Sequence, residues 1–347
     1  MLVVRRLWRA ARRQPRAFWL GVALIVLPLL SVTPYMASGT EAARARNSLV
    51  LDTSADANRD WTPANMPADF LIDHRPPDPV FVEVAQRLKL AEMPTDWDRA
   101  VAISRHLLGS SPRLLSGAIE ADLRTTYERI THQGDGYCAD FVKVFTAIAG
   151  AAGIPVRSWA FSFDGFGGHG HIFPEIWNRQ TGEWQLLDVY DNSYFVVASK
   201  PLSALEFRAE MLSGRNDIRI LPLHPGARPG YIYEEKAWDY YRRGLPEWYL
   251  WWGNNPFTYD HAWSVRMLSP VSRVLAQAGA IVQGVQPHVR VLATAENRAR
   301  IDALSAVRMH LIAALLSACV GVIVIAWTLV RHRSANRVTL SKETARA

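Results

Sequence analysis

GYCADFVKVFTAIAGAAGIPVRSW, residues 136–159, decides the reading of the fold. Phe141, Val144, Phe145, Ile148 and Ala152 follow Cys138 at helical spacing, so a single apolar stripe runs down a helix that opens at the cysteine. Gly150, Gly153 and Pro155 end that helix. Residues 156–163, VRSWAFSF, are rich in strand formers. A cysteine in the first turn of a helix lies beside unpaired backbone N–H groups, which stabilise a thiolate and later an oxyanion. The plainer reading of such a residue is a buried structural thiol. The other cysteine, Cys319, lies inside an apolar run, which leaves Cys138 without a disulfide partner in the polar part of the chain. Position and isolation together favour a reactive role.

A nucleophilic cysteine needs a base, and the base needs an acceptor that orients it. Downstream, HIFPEIW (171–177) and WQLLDVY (184–190) read as two strands around NRQTGE, a hairpin signal. A turn centred between Arg179 and Gln180 sets His171 opposite Asp188, with side chains on one face. His171 is then the base and Asp188 its orienting carboxylate. His169 competes as base, but it sits between glycines in the loop DGFGGHG. Gln133, five residues before Cys138, is a candidate oxyanion donor, with a solvated loop amide as the bland alternative. His169, His171, Asp188 and Asp191 lack a helical zinc-ligand spacing, so no metal is expected. The glycine-rich loop precedes a strand rather than a helix, which argues against a phosphate cradle. No cofactor is expected.

These residues resemble the transglutaminase-like superfamily. Cys138 opens a helix that ends in Gly153-Ile154-Pro155 and Arg157. His171 begins a strand with Glu175 four residues on, and Asp188 follows Trp184. Phe173 stands where the family usually has Trp. The helix DWDRAVAISRHLL, opening at Thr95-Asp96, resembles the family's leading helix. The resemblance covers roughly residues 95–195. It implies an α+β, papain-like core in which the cysteine helix packs on an antiparallel sheet bearing His and Asp. It also implies Cys138, His171 and Asp188 as catalytic residues, in a family of cross-linking enzymes, peptidases, amidases and members without catalysis.

Outside this core, two uncharged runs stand out: Ala17 to Thr40, 24 residues, and Leu311 to Val330, 20 residues. A helix crosses the hydrocarbon core in roughly 20 residues, so both are expected to span. Residues 1–16 hold six arginines and no acid, and residues 331–347 hold five basic residues against Glu343. The excess of basic residues at both ends places both termini in the cytoplasm. The formal charge of the chain is +7. The tails contribute +10 of it, and everything between them is −3. A mildly acidic external part withdraws support from nucleic-acid binding. Ala37-Ser38-Gly39 is a tolerable cleavage site, but the long basic leader and long apolar run favour an uncleaved anchor.

The expected organisation is a basic tail (1–16), a span (17–37), an irregular approach (38–95), the transglutaminase-like core (96–200), an aromatic-rich extension (201–308), a second span (309–330) and a cytoplasmic tail (331–347). A short helix is expected after Asp78-Pro79, another over 116–130, and a long one capped by Thr294. Residues 238–263 contain ten aromatics in 26. They read as a second core or a bilayer-surface belt, or more sharply as a stacking platform built on Trp251 and Trp252. The expected function is cysteine-dependent hydrolysis or acyl transfer at an amide, outside the cytoplasm of a bacterial inner membrane. Protein, peptide or cell-envelope glycan is the substrate, and membrane lipid is a neighbour. The alternative is a non-catalytic binding or assembly protein that holds a glycan or peptide on segment 238–263. The sequence does not reveal a membrane-protein partner.

Overall fold

A computed structural model describes residues 15–52, 59–109, 117–119, 121–214, 217–227, 230–231 and 233–344. The chain forms two units, Arg46–Leu304 and a second made of Met1–Ala45 with Ser305–Ala347.

The strands of the first unit are β1 (Leu51–Asp52), β2 (Leu71–Ile72), β3 (Val156–Ser162), β4 (Gly170–Asn178), β5 (Glu183–Leu186), β6 (Tyr194–Val197), β7 (Lys200–Pro201), β8 (Arg219–Leu221), β9 (Trp248–Asn254) and β10 (His288–Val291). The main sheet runs β1-β10-β9-β3-β4-β5, with β2 also on β9. Its long pairings are antiparallel, and only β1 with β10 and β2 with β9 run parallel. A small sheet, β7-β6-β8, lies beside it. The α+β expectation holds.

Alternation along the strands sorts two apolar layers. Trp159, Phe161, Phe173, Trp248, Leu250 and Trp252 share one cluster. Phe141, Val144, Phe145 and Ile148 of the helix Cys138–Ala151 join Val156 and Ile176 in another. Helices Pro79–Arg87, Asp96–Leu108 and Leu123–Gln133 surround the Cys138 helix through Phe81, Ile103 and Ile130. Their starts follow the cap chemistry of the sequence. The Thr95 hydroxyl accepts from Asp98 N at 3.0 Å, and the Asp122 carboxylate from Thr125 N at 2.8 Å. Expected over 116–130, the third helix begins at Leu123, and residues 110–116 and 120 lie outside those described.

The β4–β5 register differs from the expected one. Glu175 faces Leu186 and Trp177 faces Trp184, two positions away from a pairing of His171 with Asp188. The reason is the turn. Gly182, at φ +70°, closes a loop over 179–182, where Thr181 and Gly182 N–H both reach the Asn178 carbonyl. A shift of two residues preserves parity, so the same-face relation survives. β5 ends at Leu186, before Asp188.

The sheet also draws on distant segments. β9 and β10 come from the expected extension 201–308, and Trp61 and Phe70 of the expected approach 38–95 are buried in the β9 layer. Both edges and both faces of β3 need cover, and the pairing of distant strands leaves no periodic trace in the sequence.

In the second unit, the helix Arg16–Val32 meets the later part of the helix Arg298–Thr344. A Cβ on Gly21 would stand 2.9 Å from Gly321 O, and one on Gly321 2.6 Å from Gly21 O, so the close crossing requires these glycines. Ser317 Oγ donates to Leu24 O at 3.0 Å. Ser31 Oγ and Tyr35 Oη each lie 2.9 Å from a ring nitrogen of His310. Arg16–Met36 and Arg298–His332 are long and apolar enough to cross a membrane.

Candidate active site

Cys138 is the first residue of its helix and is half-buried. Asp140 shapes the approach: its carboxylate accepts from Tyr137 N at 2.9 Å and from Ile119 N at 3.0 Å. The Tyr137 carbonyl takes the Asp140 and Phe141 N–H groups. The N–H groups of Cys138 and Ala139 have no acceptor among the described residues. They are the unfilled donors of the helix start, placed where an oxyanion would form beside the thiol.

His171 stands near the start of β4, on the pleat shared with Phe173 and Glu175, and is buried. Gly170 before it lets β3 and β4 close up, because a Cβ there would collide with the Phe161 carbonyl. The His171 Nε2 atom lies 2.5 Å from Asp188 Oδ2 and 3.4 Å from Asp191 Oδ2. The Cys138 thiol lines the same cleft as the His171 imidazole. The structure therefore brings Cys138, His171 and Asp188 together in that order.

Asp188 is fully buried and firmly held. Its backbone exchanges both hydrogen bonds with Ser193, at 2.8 and 3.0 Å. Its Oδ1 accepts from Asp191 N at 3.1 Å, and Tyr241 Oη donates to its Oδ2 at 2.5 Å. Burial alone would push the His171 proton off. The Asp188 carboxylate, through its charge and its hydrogen bond, outweighs burial and raises the His171 pKa well above the ordinary histidine value. Burial, reinforced by the Asp188 charge, keeps the Tyr241 hydroxyl protonated as a donor.

The thiol and imidazole line a cleft of about 530 Å³ with Tyr137, Phe163, Tyr190 and Tyr240. Arg243 stands at its edge, with its guanidinium 4.7 Å from the Phe163 ring centroid. The loop between β3 and β4 forms one wall and is pinned from below. The buried Glu247 carboxylate accepts from Ser162 Oγ, from Gly165 N at 2.9 Å and from Phe166 N at 3.0 Å, and it pairs with Arg300 at 2.9 Å. Asn47 Nδ2 donates to Phe166 O at 2.8 Å. These bonds hold Phe166 in a left-handed conformation, φ +62°.

Glu175, the acidic residue of the histidine strand, does not enter the cleft. It is buried and accepts from Arg157 Nε, from Trp159 Nε1 at 2.9 Å and from Ala204 N at 2.6 Å. Glu175 and Arg157 thus tie β3 and β4 to the start of the helix Ala204–Ser213.

The remaining sequence candidates fall elsewhere. His169 is in the cleft wall but exposed, with Nδ1 3.6 Å from Asp164. Gln133 is an exposed last residue of its helix and is not part of the cleft lining. Trp252 is fully buried under Arg290, whose guanidinium lies 3.4 Å from its ring centroid, so it offers no stacking surface. Trp251 is half-buried on the opposite face, with Arg46 5.2 Å from its centroid. A strand places alternate side chains on opposite faces, and both faces of β9 are covered. The sequence reading missed Tyr240 and Tyr241. Their only signal was the aromatic density of the segment, which does not say which ring points where.

His171, Asp188 and Asp191 offer ligand atoms within 4.8 Å of one another. At 2.5 Å, Nε2 and Oδ2 stand in hydrogen-bond contact. Two ligands each about 2 Å from a zinc ion stand roughly 3 Å apart or more, so this set fits a hydrogen-bonded pair better than a metal centre.

Residues 83–189 match the family model of the transglutaminase-like superfamily. No curated protein and no solved structure matches the chain.

Proposed function

Given that residues 83–189 form a transglutaminase-like superfamily domain, we propose that the chain is a cysteine enzyme that cleaves or transfers amide acyl groups through a thioester. The observation that carries this reading is that Cys138 and His171 line one cleft, with the Asp188 carboxylate 2.5 Å from His171 Nε2 behind them. A protonated imidazole beside a thiol favours the thiolate nucleophile. The Cys138 sulfur attacks the carbonyl carbon, and the oxyanion is received by the Cys138 and Ala139 N–H groups. The C–N bond then breaks, His171 delivers its proton to the leaving amine, and an acyl-thioester remains. Water or a second amine attacks the thioester while His171 takes back a proton. The thiolate leaves, giving a carboxylic acid or a new amide. Asp188 keeps the ring oriented and its charge supported throughout, and Tyr241 steadies Asp188.

Hydrolysis is the favoured outcome, because the cleft opens to solvent and water reaches the thioester. Protein, peptide or a cell-envelope glycan bearing amides is the substrate class. The two apolar helices support a membrane-anchored chain. The arginine-rich ends support both termini on the cytoplasmic side of a bacterial plasma membrane, with the catalytic unit outside.

The test is alkylation of the full chain by a thiol-directed electrophile across a pH series, with Cys138→Ala and His171→Ala controls. Labelling at Cys138 is expected to fall about 10²-fold at neutral pH in His171→Ala. A rate unchanged by that substitution would sink the mechanism.

A further inference from the structure

After β9 the chain turns into a helical hairpin, Trp263–Leu268 and Arg273–Val282. Its inner face is small and apolar. Ala262, Val265 and Ala280 are buried together, and Gly279 packs on Ser264, where a Cβ would come within 2.8 Å. The outer face is large and apolar and is turned to solvent. Trp263 is 66% exposed, Met267 70%, Val271 72% and Val282 90%, with Val274 and Leu275 beside them. Scattered exposed apolar residues are ordinary; six on one short hairpin are a patch.

The charge pattern around the patch is one-sided. From His261 to Ala295 the chain has 35 residues and no Asp or Glu. Its cations are Arg266, Arg273 and Arg290, and Arg290 is committed to Asp52 and Asp69 at 2.7 and 2.5 Å.

Between this hairpin and the helix Cys138–Ala151 lies a recess of about 710 Å³, lined among others by Arg46, Lys143, Arg266 and Arg273. Arg46 and Arg273 approach the Gln277 amide, whose oxygen, turned toward them, accepts at 3.3 and 3.2 Å, and Arg273 and Lys143 also act on the Asp140 carboxylate. The acids of the recess are already engaged. Asp122 caps its helix, Asp140 holds Tyr137 and Ile119 N–H, and Asp260 accepts from Leu123 N and pairs with Lys143 at 3.5 Å. The hydroxyl of Thr146, also in the lining, is buried with no hydrogen-bond partner among the described residues.

We propose that the hairpin is a membrane-interface element. Its outer face enters the edge of a bilayer, and the adjoining recess takes the phosphate of an anionic phospholipid headgroup. The ligand class follows from the chemistry. An apolar face with a tryptophan at its start, on a stretch whose charged side chains are all arginines, suits the boundary between headgroups and acyl chains. Crowded guanidiniums with a spare hydroxyl suit a phosphate. A bilayer is the surface at hand for a chain with two helices long enough to cross one. The proposal does not depend on Cys138 chemistry.

The test uses the full chain in a Cys138→Ser, Cys319→Ser background, spin-labelled singly at Met267→Cys, Val282→Cys or, as a control on the exposed helix Leu123–Gln133, Arg124→Cys. The protein is placed in nanodiscs of phosphatidylcholine alone or with phosphatidylglycerol. Labels at 267 and 282 are expected to collide readily with oxygen and poorly with a nickel chelate, and the label at 124 the reverse. Phosphatidylglycerol should deepen the first two labels, and Arg266→Gln with Arg273→Gln should abolish that difference. Labels at 267 and 282 as open to nickel as the control would overturn the proposal. Labels shielded from both reagents would overturn it in favour of a protein partner or second copy. Equal depth in the two lipid mixtures would overturn the headgroup assignment.

Discussion

Asp188 and His171 show how a buried site holds a charge. Desolvation works against the imidazolium, and a carboxylate 2.5 Å away more than restores it. Removing that carboxylate leaves burial in control, so Asp188→Asn should move the His171 titration downward, as read by NMR of labelled ring carbons. The linkage has a definite sign. The folded value lies above the unfolded one, about 6.5. The stabilisation is therefore complete below that pH and is lost as pH rises through the raised folded value. The melting temperature of the wild-type chain should fall across that upper window, and that of Asp188→Asn should not. Tyr241→Phe removes a bond to a charged acceptor, a loss of about 2 kcal/mol. It should lower the His171–Asp188 coupling without touching Cys138. The residues that the structure gathers at the cleft, Cys138, His171 and Asp188, were legible in the sequence by type and order. Tyr241 was not, because nothing local to residue 241 marks its hydroxyl as the partner of a carboxylate 53 positions away.

At the scale of elements, the β4–β5 hairpin separates parity from register. Alternation of HIFPEIW and WQLLDVY fixed which residues share a face. The turn then set the alignment, and Gly182 moved it by two residues. Ala at that φ costs about 1 kcal/mol, so Gly182→Ala should lower the melting temperature of the detergent-solubilised chain by a few degrees. Glu175 is the larger test. Its carboxylate answers Arg157, Trp159 and the backbone of Ala204, and Glu175→Ala strands a buried guanidinium. A loss of about 3–5 kcal/mol is expected, seen as loss of the folded fraction in a thermal melt. The helix Asp96–Leu108 is bound to the same hairpin. The buried Asp96 carboxylate accepts from Arg179 Nε and Nη2, both at 2.7 Å. Caps, helix starts and stops at these elements were readable because their signals lie within four or five residues of one another.

On the scale of the molecule, charge sorts by region. The +7 of the chain resides in its ends, and the acid-free stretch 261–295 adds a second local excess. A reporter that works only outside the cytoplasm, fused after Ala347, is expected to be inactive. An active one would reverse the orientation of the second apolar helix. The folded unit is larger than the motif-bearing segment. Residues 46–304 share one set of apolar layers, although the family model spans only 83–189. The aromatic segment 238–263 supplies the sheet's β9 and the tyrosines behind Asp188, with Trp252 inside rather than on show.

The sequence by itself determined the helix that opens at Cys138, the strand that begins at His171, the parity of Asp188 and the two long apolar helices. Each of these is written in local periodicity, capping chemistry or length, which act over a few residues. Tertiary structure alone decided the register beyond Gly182, the enlistment of β9 and β10, the tyrosine behind the aspartate and the loop pinned by Glu247 and Asn47. Those depend on which distant surfaces exclude water from one another and which buried polar groups must then find partners.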